Sequence, residues 1–300
     1  MSEPHPDEAP TQRYPVPQWG PPVLPPVLPP RRRRAWPGLL TVVLVLVVAA
    51  AGWYLGSGRT PSLPLVTAPS VAPVEAPRTV PTPGGEESDE PLGTPPTAPD
   101  SDVYAFVAEQ ADGVTPVAYD PCRPVAVVLS TDGAPEGAEA MLVDALARMT
   151  AVTGLQFRYD GPTDEVPGGG RAAYQPDRYG DRWAPVVVGW RTPEQEPGLA
   201  GDVAGLGGSA SAGPDGGPVA YVTGSVTLDG PEYATLLADG DEALARAILL
   251  HELGHVVGLA HVWDEEQLMA STTSGDVLDF ADGDLAGLAR LGAGACIPEL

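Results

Sequence analysis

The sequence contains no lysine, and its 16 basic residues are all arginines, against 40 aspartates and glutamates. The formal net charge of -24 excludes a protein that binds nucleic acid or an anionic membrane surface, because either function needs a basic footprint. Histidine is also scarce, with four in 300 residues. One of them, His5, lies in a proline-rich segment, and the other three lie within residues 251–261. A chain that otherwise avoids histidine therefore groups it at one place.

Cysteine is limited to Cys122 and Cys296. An even number of cysteines in an exported protein favours a disulfide. Closing so long a loop would stabilise the fold by roughly 4–5 kcal/mol in the simple chain-entropy model. We therefore predict a disulfide between the two residues if the domain is exported. The alternative is a pair of unpaired thiols in the core.

The first 100 residues have the composition of a membrane anchor between two proline-rich segments. Residues 36–55 are an uncharged run long enough to cross a membrane as a helix, and four arginines at residues 31–34 place the N-terminus in the cytoplasm. Residues 1–35 are then a disordered, proline-rich cytoplasmic tail, and residues 56–100 a proline-rich extracellular linker. A protein secreted after cleavage near Ala51 is the alternative.

The tail contains the repeat PPVLPPVLPP, which favours polyproline II and cannot form a packed core. It is compatible with a docking peptide for a cytoplasmic partner, although a solvated tail is the simpler interpretation.

Residues 101–300 have the pattern of one globular domain. Short apolar or β-branched runs predict strands at residues 125–129, 155–160, 186–190 and 220–229. One helix is predicted to end at Gly154, and a capping box of Asp239 and Glu242 predicts the start of another. The glycine-rich residues 198–217 fit an irregular sheet edge better than a central strand. This order predicts an α/β or α+β domain with a twisted mixed sheet.

The segment HELGHVVGLAH, residues 251–261, can direct three imidazoles at one point. His251 and His255 are four residues apart, so they share one face of a helix and can bind one metal ion. Glu252 is offset from them, so its carboxylate can take a proton from metal-bound water instead of binding the metal. Gly258 can end the helix and turn the chain, which lets His261 approach from another direction. Three imidazoles and one open position are typical of catalytic zinc.

This segment resembles the zinc-binding motif of the metzincin metalloproteases. In that family the three motif histidines bind zinc and the motif glutamate is the general base, and the resemblance assigns these roles to His251, His255, His261 and Glu252. Metzincins also have a methionine in a tight turn beneath the zinc, and Met269 matches it. Its spacing from His261 is similar to that of the matrixin branch in particular.

Residues 282–292, DGDLAGLARLG, are similar to the last helix of matrixin domains. The resemblance therefore implies a metzincin-type zincin fold for residues 101–300, with an active-site helix and a C-terminal helix.

The sequence departs from the usual matrixin pattern near the motif. Val262 stands where matrixins usually have serine, and Ala270 and Ser271 stand where they usually have tyrosine and proline, so the substrate preference is open. No histidine lies between His5 and His251, so the structural zinc site of many matrixins cannot be present in its usual form.

Two further matrixin features are structural calcium and a propeptide. Structural calcium on acidic loops near Asp177 and Asp181 is a secondary hypothesis. A matrixin-type cysteine-switch propeptide is absent from the sequence, and Cys122 is expected to pair with Cys296 instead.

The sequence thus predicts a membrane-anchored, extracellular zinc endopeptidase that acts on polypeptides. Zinc would acidify a water molecule and polarise the scissile carbonyl, and Glu252 would carry the proton to the leaving amine. Residues 201–211 resemble the strand that metzincins pair with an extended substrate; a flexible loop is the alternative. Three other functions stay open: a non-catalytic binding module, a domain with purely structural zinc, and a zinc amidase acting on cell-wall peptides.

Overall fold

A computed structural model describes residues 78–272 and 275–300. Among these residues no helix combines the length and the apolar character that a membrane crossing needs. The predicted cytoplasmic tail at residues 1–35 and the predicted transmembrane helix at residues 36–55 lie outside the described residues. The same is true of residues 56–77 of the predicted linker.

The described part of the chain contains eight strands. They are β1 (Ala105–Phe106), β2 (Ala118–Tyr119), β3 (Val125–Ser130), β4 (Phe157–Thr163), β5 (Val186–Arg191), β6 (Gly205–Ala212), β7 (Ala220–Asp229) and β8 (Leu259–Ala260). The main sheet has the order β2-β7-β5-β3-β4, and all of these neighbours are parallel. Strand β6 pairs antiparallel with β7, and β1 pairs antiparallel with β8 in a small second sheet. The predicted mixed sheet is therefore confirmed.

The centre of the sheet is formed by the most apolar runs of the sequence. In β3 and β5, the valines at positions 127, 128, 186, 187 and 188 are all at most 3% exposed. Parallel strands covered on both faces have such continuous apolar runs. The β-branched residues at 220–229 form the ten-residue strand β7, which has the predicted bounds.

Five helices are present in the described residues. They are α1 (Ala138–Thr153), α2 (Pro176–Tyr179), α3 (Gly230–Asp239), α4 (Glu242–Val257) and α5 (Asp282–Gly292), and a 3-10 turn covers Pro197–Leu199. Helix α1 ends at Gly154, which has a φ of 79° and lies in the left-handed region, as the sequence predicts. Helix α4 lies against β6, and it also contacts α1 and α5.

The predicted capping box at Asp239 and Glu242 is wrong. Asp239 is the last residue of α3, a helix that the sequence analysis did not predict, and α4 begins at Glu242 after Asp241. Gly240 has a φ of 85° and ends α3, so the chain cannot continue as a helix from Asp239. The side-chain cap in this region belongs to α3, whose N-cap residue Asp229 accepts a hydrogen bond from the backbone N–H of Glu232 at 2.9 Å.

A disulfide joins Cys122 to Cys296, with their Cα atoms 5.4 Å apart. It links the turn after β2 to the segment after α5. The buried carboxylate of Asp120 supports both sides, because it accepts hydrogen bonds from the backbone N–H groups of Cys122 (2.8 Å) and Ile297 (2.9 Å). The predicted disulfide is therefore confirmed.

The last part of the predicted linker lies against the domain. The backbone N–H of Ser88 donates to the carbonyl of Cys122, and that of Leu92 donates to the carbonyl of Pro121, both at 2.9 Å. These bonds attach residues 78–100 close to the disulfide.

A buried ion pair organises the loop between β4 and β5. The carboxylate of Glu165 accepts two hydrogen bonds from the guanidinium of Arg171, at 3.0 and 2.8 Å. The amide of Gln175 and the hydroxyl of Tyr179 also donate to it. Burial by itself raises the pKa of Glu165, but these hydrogen bonds outweigh it, so the pKa lies below its ordinary value. The loop is therefore held by side chains of this network.

Candidate metal centre

The three clustered histidines meet at one point. His251 and His255 are on α4, and His261 follows β8. The Nε2 atom of His261 lies 3.1 Å from that of His251 and 3.0 Å from that of His255. One ligand atom from each residue lies within 4.8 Å of the others, so the three can hold one metal ion. The structure thus brings together all three predicted ligands.

Backbone carbonyls fix the orientation of two of these rings. The Nδ1 atom of His251 lies 2.7 Å from the carbonyl oxygen of Leu268, and that of His255 lies 2.8 Å from the carbonyl oxygen of Leu259. Since a carbonyl oxygen only accepts, each Nδ1 carries the hydrogen and donates it. Each Nε2 then has a free lone pair directed at the common point, as metal ligation requires.

Burial keeps these imidazoles neutral. It lowers the pKa of His251 to about 4 and the pKa of His255 to about 3, and it also lowers the pKa of His261. Neutral rings can ligate a metal without first losing a proton. The donor set of three neutral nitrogens fits zinc better than a hard, oxygen-seeking cation such as calcium.

Gly258 produces the turn that delivers His261. It follows the last residue of α4 with a φ of 121°, and its N–H donates to the carbonyls of Gly254 and His255. A Cβ at this position would lie 3.0 Å from Cε2 of Tyr221, so the site has no room for a larger residue. The predicted role of Gly258 in ending the helix is therefore confirmed.

Glu252 is buried between α4 and the glycines of β6. Only 6% of its surface is exposed, and burial raises its pKa to about 8, although a hydrogen bond from the backbone of Gly207 opposes this effect. A Cβ at Gly205 would lie 2.7 Å from Cγ and 2.9 Å from Oε1 of Glu252. A Cβ at Gly207 would overlap the backbone of Glu252. The glycines therefore let the strand approach the carboxylate closely.

The predicted irregular edge at residues 198–217 contains a regular strand. Strand β6 pairs with β7 over residues 205–212, with one register shift between Ala210 and Ser211. The alternative of a flexible loop at residues 201–211 is therefore wrong for the part that forms β6. Within the described residues β6 pairs with β7 alone, so it is an edge strand.

Met269 packs beneath the helix that carries the histidines. It is 1% exposed, and a Cβ at Gly254 would lie 2.6 Å from its sulfur. The motif glycine thus leaves the space that the methionine side chain fills, which agrees with the predicted packing role of Met269. The backbone N–H of Val262 donates to the carbonyl of Met269 at 3.0 Å, so the segment after His261 is tied to the same turn.

The carboxylate that holds this turn has no recognisable signal in the sequence. Asp284 is 1% exposed, and it accepts hydrogen bonds from the backbone N–H groups of Leu268 (2.7 Å), Met269 (3.3 Å) and Ala281 (3.1 Å). Burial raises the pKa of Asp284 above its ordinary value, and these N–H groups oppose the increase. A chain of hydrogen bonds therefore runs from Asp284 through the Leu268–Met269 peptide group, whose N–H is that of Met269, to the ring of His251.

Gln267 makes the reciprocal contact. Its side-chain oxygen accepts hydrogen bonds from the backbone N–H groups of Gly283 (2.9 Å) and Asp284 (3.2 Å), in the first turn of α5. These donors have no partner within the helix, so Gln267 caps it. The methionine turn and α5 thus satisfy each other's backbone groups.

The hypothesis of calcium near Asp177 and Asp181 finds no support. The carboxylate of Asp181 accepts hydrogen bonds from the backbone N–H and hydroxyl of Thr82 and from the hydroxyl of Tyr174, and it pairs with Arg78. Among residues 78–272 and 275–300, no group of potential metal ligands includes either aspartate.

One other cluster combines Glu87, Asp120, Cys122 and Cys296. Both cysteine sulfurs are used in the disulfide, and Arg123 lies 2.7 Å from the Glu87 carboxylate, so this group does not fit a metal ion.

Comparison with known proteins agrees with this geometry. No curated protein matches the chain. Residues 204–291 match the family model Peptidase_M10, matrixin. The matched segment contains β6, α4, all three histidines, Glu252 and the Met269 turn. The family is one of zinc metalloproteases that hydrolyse polypeptides, and the three histidines are a fitting group for its zinc. The chain therefore carries a matrixin-like metzincin catalytic domain.

Proposed function

We propose that the protein is a zinc-dependent endopeptidase, anchored in the cell membrane with its catalytic domain outside the cell. The observation that supports the activity most strongly is the convergence of three imidazole Nε2 atoms beside a buried glutamate. Two of the rings are held by carbonyl acceptors, so the site is arranged before a metal arrives. Three protein ligands leave one coordination position for water or substrate, as catalytic zinc sites do.

Glu252 is proposed as the general base. When zinc is bound, it supplies a Lewis acid that polarises the scissile carbonyl and acidifies water. Glu252 follows the proposed ligand His251 directly on α4, and its side chain lies against Gly205 of β6. Burial raises the pKa of this carboxylate, and a cation bound at the histidines would lower it again. In its ionised form the carboxylate accepts the proton of the attacking water from this position and transfers it to the leaving amine. Met269 takes no part in the chemistry and supports the floor of the site.

The free edge of β6 is proposed to bind the substrate backbone. An extended peptide can add to an exposed strand edge through main-chain hydrogen bonds. Strand β6 has eight residues, and Gly205 and Gly207 place it against Glu252. These two glycines are the first and third residues of β6, so a peptide paired along the whole edge would extend well beyond the position of Glu252 on one side. An edge of this length can hold several residues of an extended polypeptide.

The membrane anchor and the extracellular location are proposed from the sequence. Residues 36–55 would span the membrane, with the arginines at residues 31–34 on the cytoplasmic side. The disulfide is consistent with an oxidising compartment. Secretion after cleavage near Ala51 is the alternative for location. It would leave the catalytic proposal unchanged.

The activity can be tested with a mixed peptide library and the full-length chain in detergent. The zinc-loaded wild type should cut peptides internally, whereas Glu252→Ala should not, and a chelator should abolish cleavage. Glu242→Ala is the matched control, because Glu242 is an exposed glutamate at the start of the same helix. Mass spectrometry of the products gives the cut sites.

Three results would contradict parts of this proposal. A wild type that binds one zinc per chain but leaves every peptide intact would contradict the endopeptidase proposal and favour a binding module. Cleavage of cell-wall peptide cross-links in place of linear peptides would favour the amidase alternative. Cleavage by Glu252→Ala at the wild-type rate would exclude Glu252 as the general base.

A further inference from the structure

A large aromatic side chain lies at the surface beside the metal centre. Trp263 follows His261 by two residues, and it is 78% exposed, more than any other large hydrophobic residue among those described. Single exposed hydrophobic residues are common on proteins, so exposure alone assigns no role. The backbone around Trp263 and its distance from the metal ligands give the additional evidence.

The backbone on both sides of Trp263 is fixed. On one side, the N–H of Val262 donates to the carbonyl of Met269, and the carbonyl of Val262 accepts from the N–H of Ser271. On the other side, the carbonyl of Asp264 accepts from the N–H of Gln267 at 3.1 Å. Trp263 is therefore presented by the same turn that supports the zinc ligands.

The segment carries Trp263 close to one of the proposed metal ligands. Val262 forms a bridge with Ala270 and packs against the core. Successive side chains of an extended segment point to opposite sides, so His261 and Trp263 both face away from the core. Their Cα atoms are about 7 Å apart at the rise of an extended chain. Since His261 contributes one metal ligand, a residue only two positions away is within reach of the substrate side chains that flank a bond cleaved at the metal.

The charge around Trp263 is negative. Asp264, Glu265 and Glu266 follow Trp263 directly, and the two glutamates are exposed. Residues 247–289 contain no arginine or lysine, and neither do residues 192–245, which include β6. Trp263 and the residues that follow it thus offer an aromatic face and acids. A cation is attracted both by the negative field and by the face of an indole.

We propose that Trp263 is a specificity-determining residue that favours substrates with an arginine or lysine close to the cleaved bond. The substrate cation stacks on the exposed indole, and Glu265 and Glu266 strengthen its attraction. This inference rests on the proposed peptidase function, because it names the class of peptide that the same site prefers. A cation–π contact at an exposed site corresponds to a preference of about 2- to 5-fold, and the acidic neighbours increase it at low salt.

The test uses pairs of peptides that contain arginine or citrulline at the same position. The two side chains have nearly the same size and differ in charge. Positions on both sides of a cut site found with the peptide library are compared, with the zinc-loaded full-length chain. The wild type should cleave one arginine peptide about 3- to 10-fold more efficiently than its citrulline partner, chiefly through KM. This preference should decrease as salt is added.

Two variants separate the aromatic face from the charge. Trp263→Leu keeps an apolar side chain but removes the ring, and it should reduce the preference to less than 2-fold, because it lowers the cleavage of arginine peptides more than that of citrulline peptides. Glu265→Gln combined with Glu266→Gln should weaken the salt dependence. Val114→Ala, at another exposed hydrophobic residue, is the control and should change neither value.

A separate binding experiment distinguishes failure of this inference from failure of the proposed function. Zinc-loaded Glu252→Gln is titrated with peptide pairs that carry arginine or citrulline at each position in turn, so no known cut site is needed, and the titration is repeated with Trp263→Leu. If the wild type cleaves nothing, tighter binding of arginine peptides that depends on Trp263 would still support the inference. Equal affinity for both peptides, or a preference that survives Trp263→Leu, would overturn it whether or not the protein is a peptidase.

Discussion

Replacing Asp284 by asparagine should weaken zinc binding indirectly, through the turn that orients the ring of His251. One carboxylate oxygen of Asp284 accepts from the N–H groups of Leu268 and Ala281, and the other accepts from Met269. Asparagine has one acceptor oxygen and one NH2 group. Whichever way the amide is turned, its NH2 group faces at least one backbone N–H, so at least one buried donor loses its partner.

The magnitude follows from these contacts. Hydrogen bonds to a charged group are each worth about 1.5–3 kcal/mol, and an unpaired buried donor costs about 1–3 kcal/mol. Asp284→Asn should therefore lower the free energy of unfolding by roughly 3 kcal/mol. For a domain of this size the melting temperature then falls by roughly 6–12 °C. The carbonyl of Leu268 orients the ring of His251. Zinc affinity should therefore also fall by about 10- to 100-fold, the usual effect of losing a group that orients a ligand.

The assay compares zinc affinity by competition with a chromophoric chelator, at a temperature where both proteins are folded. Circular dichroism of the metal-free chains gives their thermal unfolding. Asp282→Asn is the matched control, since it removes the same charge from the first turn of α5 but at an exposed position. If Asp284→Asn and Asp282→Asn bind zinc equally well and unfold at the same temperature, the proposed support of the His251 ring by Asp284 is refuted.

Three further predictions concern the strand, the loop and the disulfide. Gly205→Ala should reduce peptide cleavage at least 10-fold and leave zinc binding intact, because its Cβ would lie 2.9 Å from an oxygen of the proposed general base. Gly208→Ala is the control and should leave cleavage unchanged, because its Cβ would meet nothing within 4 Å. The lowered pKa of Glu165 contributes stability above its unfolded value of 4.5 that is lost as pH falls through the folded value, so acid should lower the melting temperature of the wild type more than that of Glu165→Gln. Reduction of the Cys122–Cys296 bond, which spans 174 residues, should cost up to about 5 kcal/mol of stability, measured by urea unfolding with and without reductant; identical curves would contradict this.

The parts of the fold that the sequence predicts well are those with one dominant local signal. Strand β7 combines β-branched residues with flanking glycine and proline, and its predicted bounds match the structure. The three histidines could also be predicted, because helical spacing and the turn at Gly258 are both local properties. Their common metal site needs no information from distant parts of the chain.

The errors arise where two local signals compete. Asp239 precedes an apolar helix and has a glutamate three residues later, which is the pattern of a capping box. Asp229 followed by Pro231 is an equally good helix start, and α3 forms there. Once α3 occupies residues 230–239, Gly240 ends it and α4 has to begin later.

Other features depend on contacts that no local pattern reveals. The glycines of β6 read as a poor strand, since a glycine-rich segment lacks side chains that pack. The structure shows that the absent side chains leave space for Glu252, nearly 50 residues later in the chain. Asp284 has the appearance of an ordinary acidic residue in the first turn of a helix, and its role at the Met269 turn depends on tertiary packing.

The disulfide has a consequence for any protease that cuts itself. Strand β6, helix α4 and the Met269 turn all lie between Cys122 and Cys296, so the whole catalytic machinery belongs to one covalent ring. A single self-inflicted cut anywhere in this ring would open it into a linear chain but release no fragment. The nicked protein would keep its full mass on a non-reducing gel, and it would separate into two pieces only after reduction. A measurement of molecular mass that preserves the disulfide would therefore not detect such a cut.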